Sequence, residues 1–280
     1  MTAARKGFLE RGWRLPERRL PGGTVRAVRY AVVSHLDAAE RAGGAARAWA
    51  TFPKPHLVVP AIVELADSPE ITESVGDVLG EAFGIWSSAI FVSPPGTGTG
   101  FGWHQDALSY DLDGDEGRAL RVWVALTPAT PENGTMWFAD GSHRCGTLDH
   151  DLDDPVRGQS VSPDRVPGEK FPVVLDEGGF SMHDLRLAHS SGRNTTDGPR
   201  INVALDYVAP EAVPGAGCAG VLPLTAGFQT PWRVEPDPRK AAAAQAHEAC
   251  VTESARRLRS AMDLAARDGL PLVLGPADDA

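Results

Sequence analysis

Cysteine is scarce in this chain: Cys145, Cys218 and Cys250 stand far apart among 280 residues, with no CxxC pair. That argues against a disulfide framework or a zinc ribbon and suits a reducing, cytoplasmic setting. Positive charge is also short, with 27 Lys and Arg against 37 Asp and Glu and a formal net charge of −10. A nucleic-acid binder would show a basic surplus or stripe, so no such partner is expected. Arg5, Lys6, Arg11, Arg14, Arg18 and Arg19 cluster near the start, but Glu10 and Glu17 interrupt them. No apolar stretch follows, so no secretory signal is expected. No run reaches the roughly 18 apolar residues that a membrane span needs, and no membrane partner is expected. Internal repeats are absent too.

What is present reads as one domain over residues 1–280, long enough to bury a core without staples. Residues 1–85 read as a helical part. Val25 to Ala50 has few breakers apart from Gly43 and Gly44, and Ser68-Pro69-Glu70 reads as a helix start with Ser68 as N-cap. Residues 86–210 change character. Short apolar runs such as Leu120 to Leu126, Thr135 to Ala139, Phe180 to Asp184 and Ile201 to Val208 alternate with turn signals, the pattern of a sandwich or barrel. Asn133-Gly134 between two such runs predicts a hairpin, since both residues tolerate positive φ. The polar, aperiodic stretch 149–170 predicts a long loop of the kind that often forms a lid. Residues 211–280 form a C-terminal extension with a helix expected over about 238–268, opened by Asp237-Pro238.

The chemistry is concentrated in Gly102-Trp103-His104-Gln105-Asp106. On a strand, residues i and i+2 share a face, so His104 and Asp106 are placed to bind one ion. A second His-x-Asp, His35-Leu36-Asp37, lies in a helical stretch, where two positions are about 200° apart and the side chains diverge. His189 supplies a third candidate ligand. Two histidines and a carboxylate leave coordination positions open and suit non-haem Fe(II), whereas zinc more often takes three nitrogens or sulfur. Arg200 opens a run in which Ile201, Val203, Leu205 and Tyr207 form an apolar face, and Arg200, Asn202, Ala204 and Asp206 form the other. A polar inward face implies helices covering the outside of the sheet, and an inward arginine can hold a carboxylate bidentately.

Taken together these stretches resemble the phytanoyl-CoA dioxygenase family, particularly its bacterial members acting on specialised metabolites. The resemblance rests on Gly102 to Asp106, Val122 to Leu126, Glu132 to Met136, Gly141-Ser142-His143-Arg144, His189 to Asn194 and Pro199-Arg200-Ile201, in the family's order. It implies a mainly β fold, a double-stranded β-helix (cupin-like jelly roll) with N-terminal and C-terminal helices flanking it. It also implies Fe(II) held by His104, Asp106 and His189, with 2-oxoglutarate and O2 as co-substrates and Arg200 gripping the distal carboxylate of 2-oxoglutarate. Ser191 and Trp123 match positions that commonly line the co-substrate site, although a buried tryptophan packs a core as readily. Two positions depart from the family pattern. Ser93 stands where relatives often carry lysine, and Ser190 replaces the usual glycine, adding a side chain next to His189 that is expected to reach the iron. Asp106 favours hydroxylation over halogenation, since halogenating relatives carry a small residue there.

The resemblance thus implies a dioxygenase that hydroxylates an unactivated C–H bond of a small metabolite, releasing succinate and CO2. The same iron site also serves desaturation, epoxidation, cyclisation or epimerisation. A non-catalytic cupin-like binder has no reason to keep Arg200 with the three ligands, and a metal-assisted hydrolase leaves Arg200 unexplained. Phe101, Trp103, Tyr110 and Trp137 flank the ligand stretches and either wall a substrate pocket or fill the core. His143 and His183 read as histidines that orient the ligands through hydrogen bonds. A monomer and a homodimer fit the sequence equally well.

Overall fold

The computed structural model describes residues 2–42, 54–96, 100–109, 112–113, 117–151, 160–214, 220–229 and 232–241. The chain opens with helix α1 (Ala3–Arg11), closed by Gly12 in the left-handed conformation, and strand β1 (Trp13–Arg14). Helix α2 (Gly22–Ala42) starts three residues before the expected Val25 and is described up to the residue before Gly43. Two further helices, α3 (Pro60–Ala66) and α4 (Pro69–Leu79), follow. Pro69 occupies the first turn of α4 as expected. Ser68 sits at the N-cap position, but its hydroxyl donates back to the Leu65 carbonyl (2.8 Å) rather than capping the helix.

The strands then come in turn. They are β2 (Gly84–Ser93), β3 (Leu112–Asp113), β4 (Ala119–Ala125), β5 (Met136–Ala139), β6 (Lys170–Pro172), β7 (Phe180–His183), β8 (His189–Ser191), β9 (Arg200–Val208), β10 (Val213–Pro214) and β11 (Leu222–Pro223). The major sheet is antiparallel with strand order β1-β7-β4-β9-β2-β11, and the minor sheet runs β6-β5-β8. Bridges from His104 to His189 and from Trp103 to Val161 widen the minor sheet by two further segments.

The period-two pattern of β9 decides which face is covered. Ile201, Val203, Leu205 and Tyr207 join Leu120, Val122 and Val124 of β4 in a core with Val25, Val28 and Val32 of α2 and with the buried faces of α3 and α4. Each such side chain contributes about 1.5–3 kcal/mol by leaving water. The Tyr207 hydroxyl donates to Ala66 of α3 at 2.8 Å, tying the helical layer to the sheet. The opposite face of the major sheet looks at the minor sheet. Trp123, Ala125 and Ala204 pack there against Met136, Phe138 and Val173. Two antiparallel sheets around one inner core, with helices outside, make this the jelly roll that the resemblance implies.

Asn133-Gly134 forms a turn, with Gly134 at φ 79°, but not a hairpin. The strands on either side of it lie in different sheets, because both edges of β4 are already taken by β7 and β9. The turn instead carries the chain from one sheet to the other. Of the loop expected over 149–170, residues 152–159 lie outside the described residues; on either side of them Asp151 bridges Ser160, and Pro163–Arg165 forms a 3-10 turn. Of the helix expected over about 238–268, all but the first four residues lie outside the described residues. The Asp237 carboxylate accepts from the Arg239 N–H at 2.9 Å, as an N-cap would.

Candidate active site

His104 and His189 face each other across a two-way backbone bridge: His104 N donates to His189 O at 2.9 Å, and His189 N to His104 O at 3.0 Å. Opposed residues of an antiparallel pair share a face, so both imidazoles point into the barrel, with ring centroids 4.1 Å apart. Each Nδ1 lies on the carbonyl two residues earlier, His104 on Gly102 at 2.7 Å and His189 on Leu187 at 3.0 Å. A carbonyl only accepts, so Nδ1 carries the proton and Nε2 keeps its lone pair for a ligand. Asp106 begins the 3-10 turn Asp106–Ser109, fixed by Ala107 N donating to Leu185 O at 2.9 Å. Its Oδ1 is 3.8 Å from His104 Nε2 and its Oδ2 3.5 Å from His189 Nε2. One donor atom from each of the three residues lies within 4.8 Å of the others, all three buried. This is the donor set, and the facial spacing, that a divalent metal of the iron type takes.

Arg121 and Asp206 complete this cluster. They oppose each other on β4 and β9, and Arg121 Nε and Nη2 bond the two Asp206 oxygens at 2.6 and 3.1 Å. Arg121 Nη1 donates to Asp106 Oδ2. Neither residue belongs to the ligand motifs. The available signal was a charge at an inward position of an otherwise apolar strand, and for Asp206 the alternation of β9 had already given the face. His183 is completely buried beside them, with Nε2 4.0 Å from Asp106 Oδ2, too far for a hydrogen bond. Burial holds its pKa below the usual histidine range against the pull of Asp106, so the ring is neutral at pH 7. His143 lies elsewhere, with Nε2 on the Leu9 carbonyl at 3.0 Å, and ties α1 to the Ser142–Cys145 turn.

Arg200 begins β9, on the same inward face as Asp206. It is 6% exposed, and its partners are the Asn133 carbonyl (3.1 Å), Asn202 Oδ1 (2.5 Å) and the ring of Trp123 (5.4 Å). No carboxylate pairs with it among the described residues. Burial alone pushes its pKa down to about 10, so it stays charged at neutral pH. A buried guanidinium with only neutral partners is an anion site in waiting. Ser93 lies opposite Arg200 in the ladder, so no second cation stands there. Gly134 brings the Asn133 turn close. A Cβ on it would sit 2.4 Å from Gly192 O, besides the cost of positive φ. Gly134→Ala is expected to lower the melting temperature by several degrees, as thermal unfolding followed by circular dichroism would measure.

The remaining expected residues divide by strand register. Ser191 Oγ accepts from Phe101 N at 3.1 Å, and Phe101 stacks edge-on with Phe91 at 6.2 Å. Trp123 is buried in the inner core and under Arg200 at once. Trp137 pairs with Ser190, and Phe138 with His189. Ser190, Trp137 and Trp103 therefore occupy the row facing away from the metal ligands, where both tryptophans pack with Val161 and Val166 of the long loop. The Ser190 side chain accordingly points out of the barrel and not toward the iron position, because it is one residue out of phase with His189. Tyr110 lies outside the described residues.

A family model described as phytanoyl-CoA dioxygenase (PhyH) matches residues 22–202. The chain belongs to that family. Among family relatives, a probable alpha-ketoglutarate-dependent hypophosphite dioxygenase of Stutzerimonas stutzeri is 28% identical over 170 residues, 59% of this chain and 58% of that protein. An ectoine dioxygenase of Nocardia farcinica is 28% identical over 176 residues, 56% of this chain and 58% of its own length. The match thus spans less than two thirds of either relative. Among solved structures, the apo form of the non-haem monooxygenase ThoJ superposes with a TM-score of 0.83 at 33% identity, covering 93% of this chain and 99% of that one. The epimerase SnoN, solved with Fe3+, alpha ketoglutarate and nogalamycin RO, shares the fold with a TM-score of 0.62 at 23% identity, over 76% of this chain and 84% of that one. Among the described residues no helix is long and apolar enough to cross a membrane.

Proposed function

We propose that this chain is an Fe(II)- and 2-oxoglutarate-dependent oxygenase that hydroxylates a C–H bond of a small molecule, with His104, Asp106 and His189 holding the metal. The observation that carries the reading is the pairing of that donor cluster with Arg200, a cation buried on the same inward face with no carboxylate on it among the described residues. A hydrolase needs the metal but gives Arg200 nothing to hold. When bound, the iron would activate O2 and 2-oxoglutarate would supply two of the electrons that reduce it, the substrate giving the other two.

The protein's own residues do the positioning. The carbonyls of Gly102 and Leu187 lock both imidazoles in the ligating tautomer. Arg200 holds the far carboxylate of the co-substrate, its guanidinium braced by Asn133 and Asn202 and stacked over Trp123. Trp123 and Phe138 keep the interior dry, which strengthens that charge pairing. Relatives named as dioxygenases of ectoine and hypophosphite support small, polar substrates.

The test is anaerobic addition of Fe(II) and 2-oxoglutarate to the full chain, watching for the weak visible charge-transfer band of the chelate. The wild type is expected to show the band, and His189→Ala to lose it with at least a 100-fold drop in Fe(II) affinity, on the order of one metal–imidazole bond. Iron that binds without the band would turn the reading toward a hydrolase or a binder. Product analysis after substrate screening by succinate release then separates hydroxylation from desaturation, cyclisation or epimerisation.

A further inference from the structure

We propose that Arg121 is a positioning residue that restricts Asp106 to ligation through one oxygen and so keeps a coordination position open for the co-substrate. The inference rests on the metal reading of His104, Asp106 and His189. Its starting point is a row of side chains across the major sheet. Trp13 opposes His183, His183 opposes Arg121, Arg121 opposes Asp206, and Asp206 opposes Ser87. Opposed residues share a face, so all five point inward, at the level of the donor cluster.

Within that row Arg121 is 5% exposed and anchored twice on Asp206, at 2.6 and 3.1 Å. A guanidinium held by two bonds to one carboxylate is fixed in plane and direction, so its remaining nitrogen is aimed rather than loose. That nitrogen, Nη1, reaches across the barrel to Asp106 Oδ2. Asp206 and Arg121 would already satisfy each other as a brace within the sheet. The contact to Asp106 crosses instead to a different segment, the turn that presents a ligand.

The consequence follows from the carboxylate's two oxygens. A flexible aspartate can chelate one cation through both, and each oxygen so used removes a position that a chelating co-substrate needs. An oxygen already committed to a strong, directed hydrogen bond is poorly placed to join a chelate. Oδ1 lies 3.8 Å from His104 Nε2 and Oδ2 3.5 Å from His189 Nε2, so both oxygens border the donor cluster and the guanidinium on Oδ2 is what separates one-point from two-point ligation. Arg121 thus acts through Asp106.

The experiment compares full-length wild type with Arg121→Gln, Arg121→Lys and Asp206→Asn, titrating first Mn(II), then 2-oxoglutarate onto the metal-loaded protein. Circular dichroism checks each fold. The expected result is a split. Arg121→Gln keeps Mn(II) affinity within about threefold of wild type but loses at least about tenfold in 2-oxoglutarate affinity, with a shifted or absent charge-transfer band when Fe(II) replaces Mn(II). Arg121→Lys, which returns a cation to Oδ2, recovers most of the loss, and Asp206→Asn, which loosens the anchor, falls between. Unchanged 2-oxoglutarate affinity in Arg121→Gln overturns the inference. Equal losses of metal and co-substrate affinity, unrescued by lysine, overturn it as well, because they mark Arg121 as a brace of the fold. A wild type that binds neither ligand overturns the metal reading, and this inference with it, whereas a wild type that binds both beside an unchanged Arg121→Gln overturns this inference alone.

Discussion

Arg200→Met is expected to weaken 2-oxoglutarate binding on the order of 1,000-fold while leaving the ligand-free protein at least as stable as the wild type. The two halves of this result have one cause. In the ligand-free protein Arg200 is a buried charge met by a carbonyl, an amide oxygen and an aromatic face, with no carboxylate on it among the described residues. Burial works against it strongly enough to bring its pKa down to about 10. Methionine fills similar volume, removes the uncompensated charge and leaves Asn202 tied to the Val124 carbonyl. On the proposed reading, what disappears is a charge-assisted, two-point grip on a carboxylate, in which each bond contributes about 1.5–3 kcal/mol. Titration of the charge-transfer band measures the first half and thermal unfolding of the apo protein the second. A variant that binds 2-oxoglutarate normally would show that Arg200 serves another anion.

The second large effect concerns a place far from the donor cluster. Lys54, whose N–H donates to the Ser88 carbonyl of β2 at 2.9 Å, is in the left-handed conformation (φ 74°) and fully buried. Its Nζ bonds Glu235 Oε1 and the Gly220 carbonyl, both at 2.7 Å, and His56 Nε2 lies 3.9 Å from Glu235 Oε2. The cluster fastens the segment around Glu235 to β2 through Ser88, whose hydroxyl meets His56 Nδ1 at 2.7 Å. Lys54→Met leaves the buried carboxylate with only the more exposed Arg233, 3.5 Å from Oε1, and is expected to cost about 3 kcal/mol, or several degrees in melting temperature. Adding Glu235→Leu should return part of that loss, since removing both charges is cheaper than stranding one.

The same cluster sets an acid limb. Burial by itself would raise the Glu235 pKa, but the charge of Lys54 and the contact with His56 outweigh it and bring the group to about 2. A folded pKa below the unfolded value means stabilisation that is complete above about pH 4.5 and is lost as pH falls toward 2. Of the order of 3 kcal/mol should fade across that window, and Glu235→Gln should flatten the corresponding part of the stability–pH curve. An unchanged curve would mean the carboxylate is solvated and the pair contributes little.

The juxtaposition of the proposed ligands was only partly a matter of strand periodicity. His104 and His189 oppose each other in a bridge, whereas Asp106 reaches the same cluster from a 3-10 turn, and the alternation of β9 turns Arg200 and Asp206 inward. Arg121 carries no such signal, because the stretch around it reads as a run of apolar residues and its role depends on being opposite Asp206, a register that no local pattern specifies. Trp103 and Trp137 lie beside the site in sequence but not in space, since a shift of one residue along a strand moves a side chain to the other face. The hairpin expected at Asn133-Gly134 failed for a nonlocal reason. The turn residues are the right ones, but β4 had no free edge to offer the next strand.

The buried ionic groups of the barrel interior also constrain the order of events on it. Asp106 and Asp206 carry two negative charges, Arg121 and Arg200 two positive, and the ligand-facing imidazoles are neutral as ligation requires. Among the described residues these charges of the interior balance. A divalent cation alone leaves it two charges positive, and a dicarboxylate alone two charges negative, in a medium where unbalanced charge is expensive. Neutrality returns only when both are present. On the proposed reading each therefore binds weakly by itself and tightly in company, and thermodynamic reciprocity makes the two enhancements equal. The protein would then be spared a loaded metal with no reductant beside it, the combination in which O2 does damage.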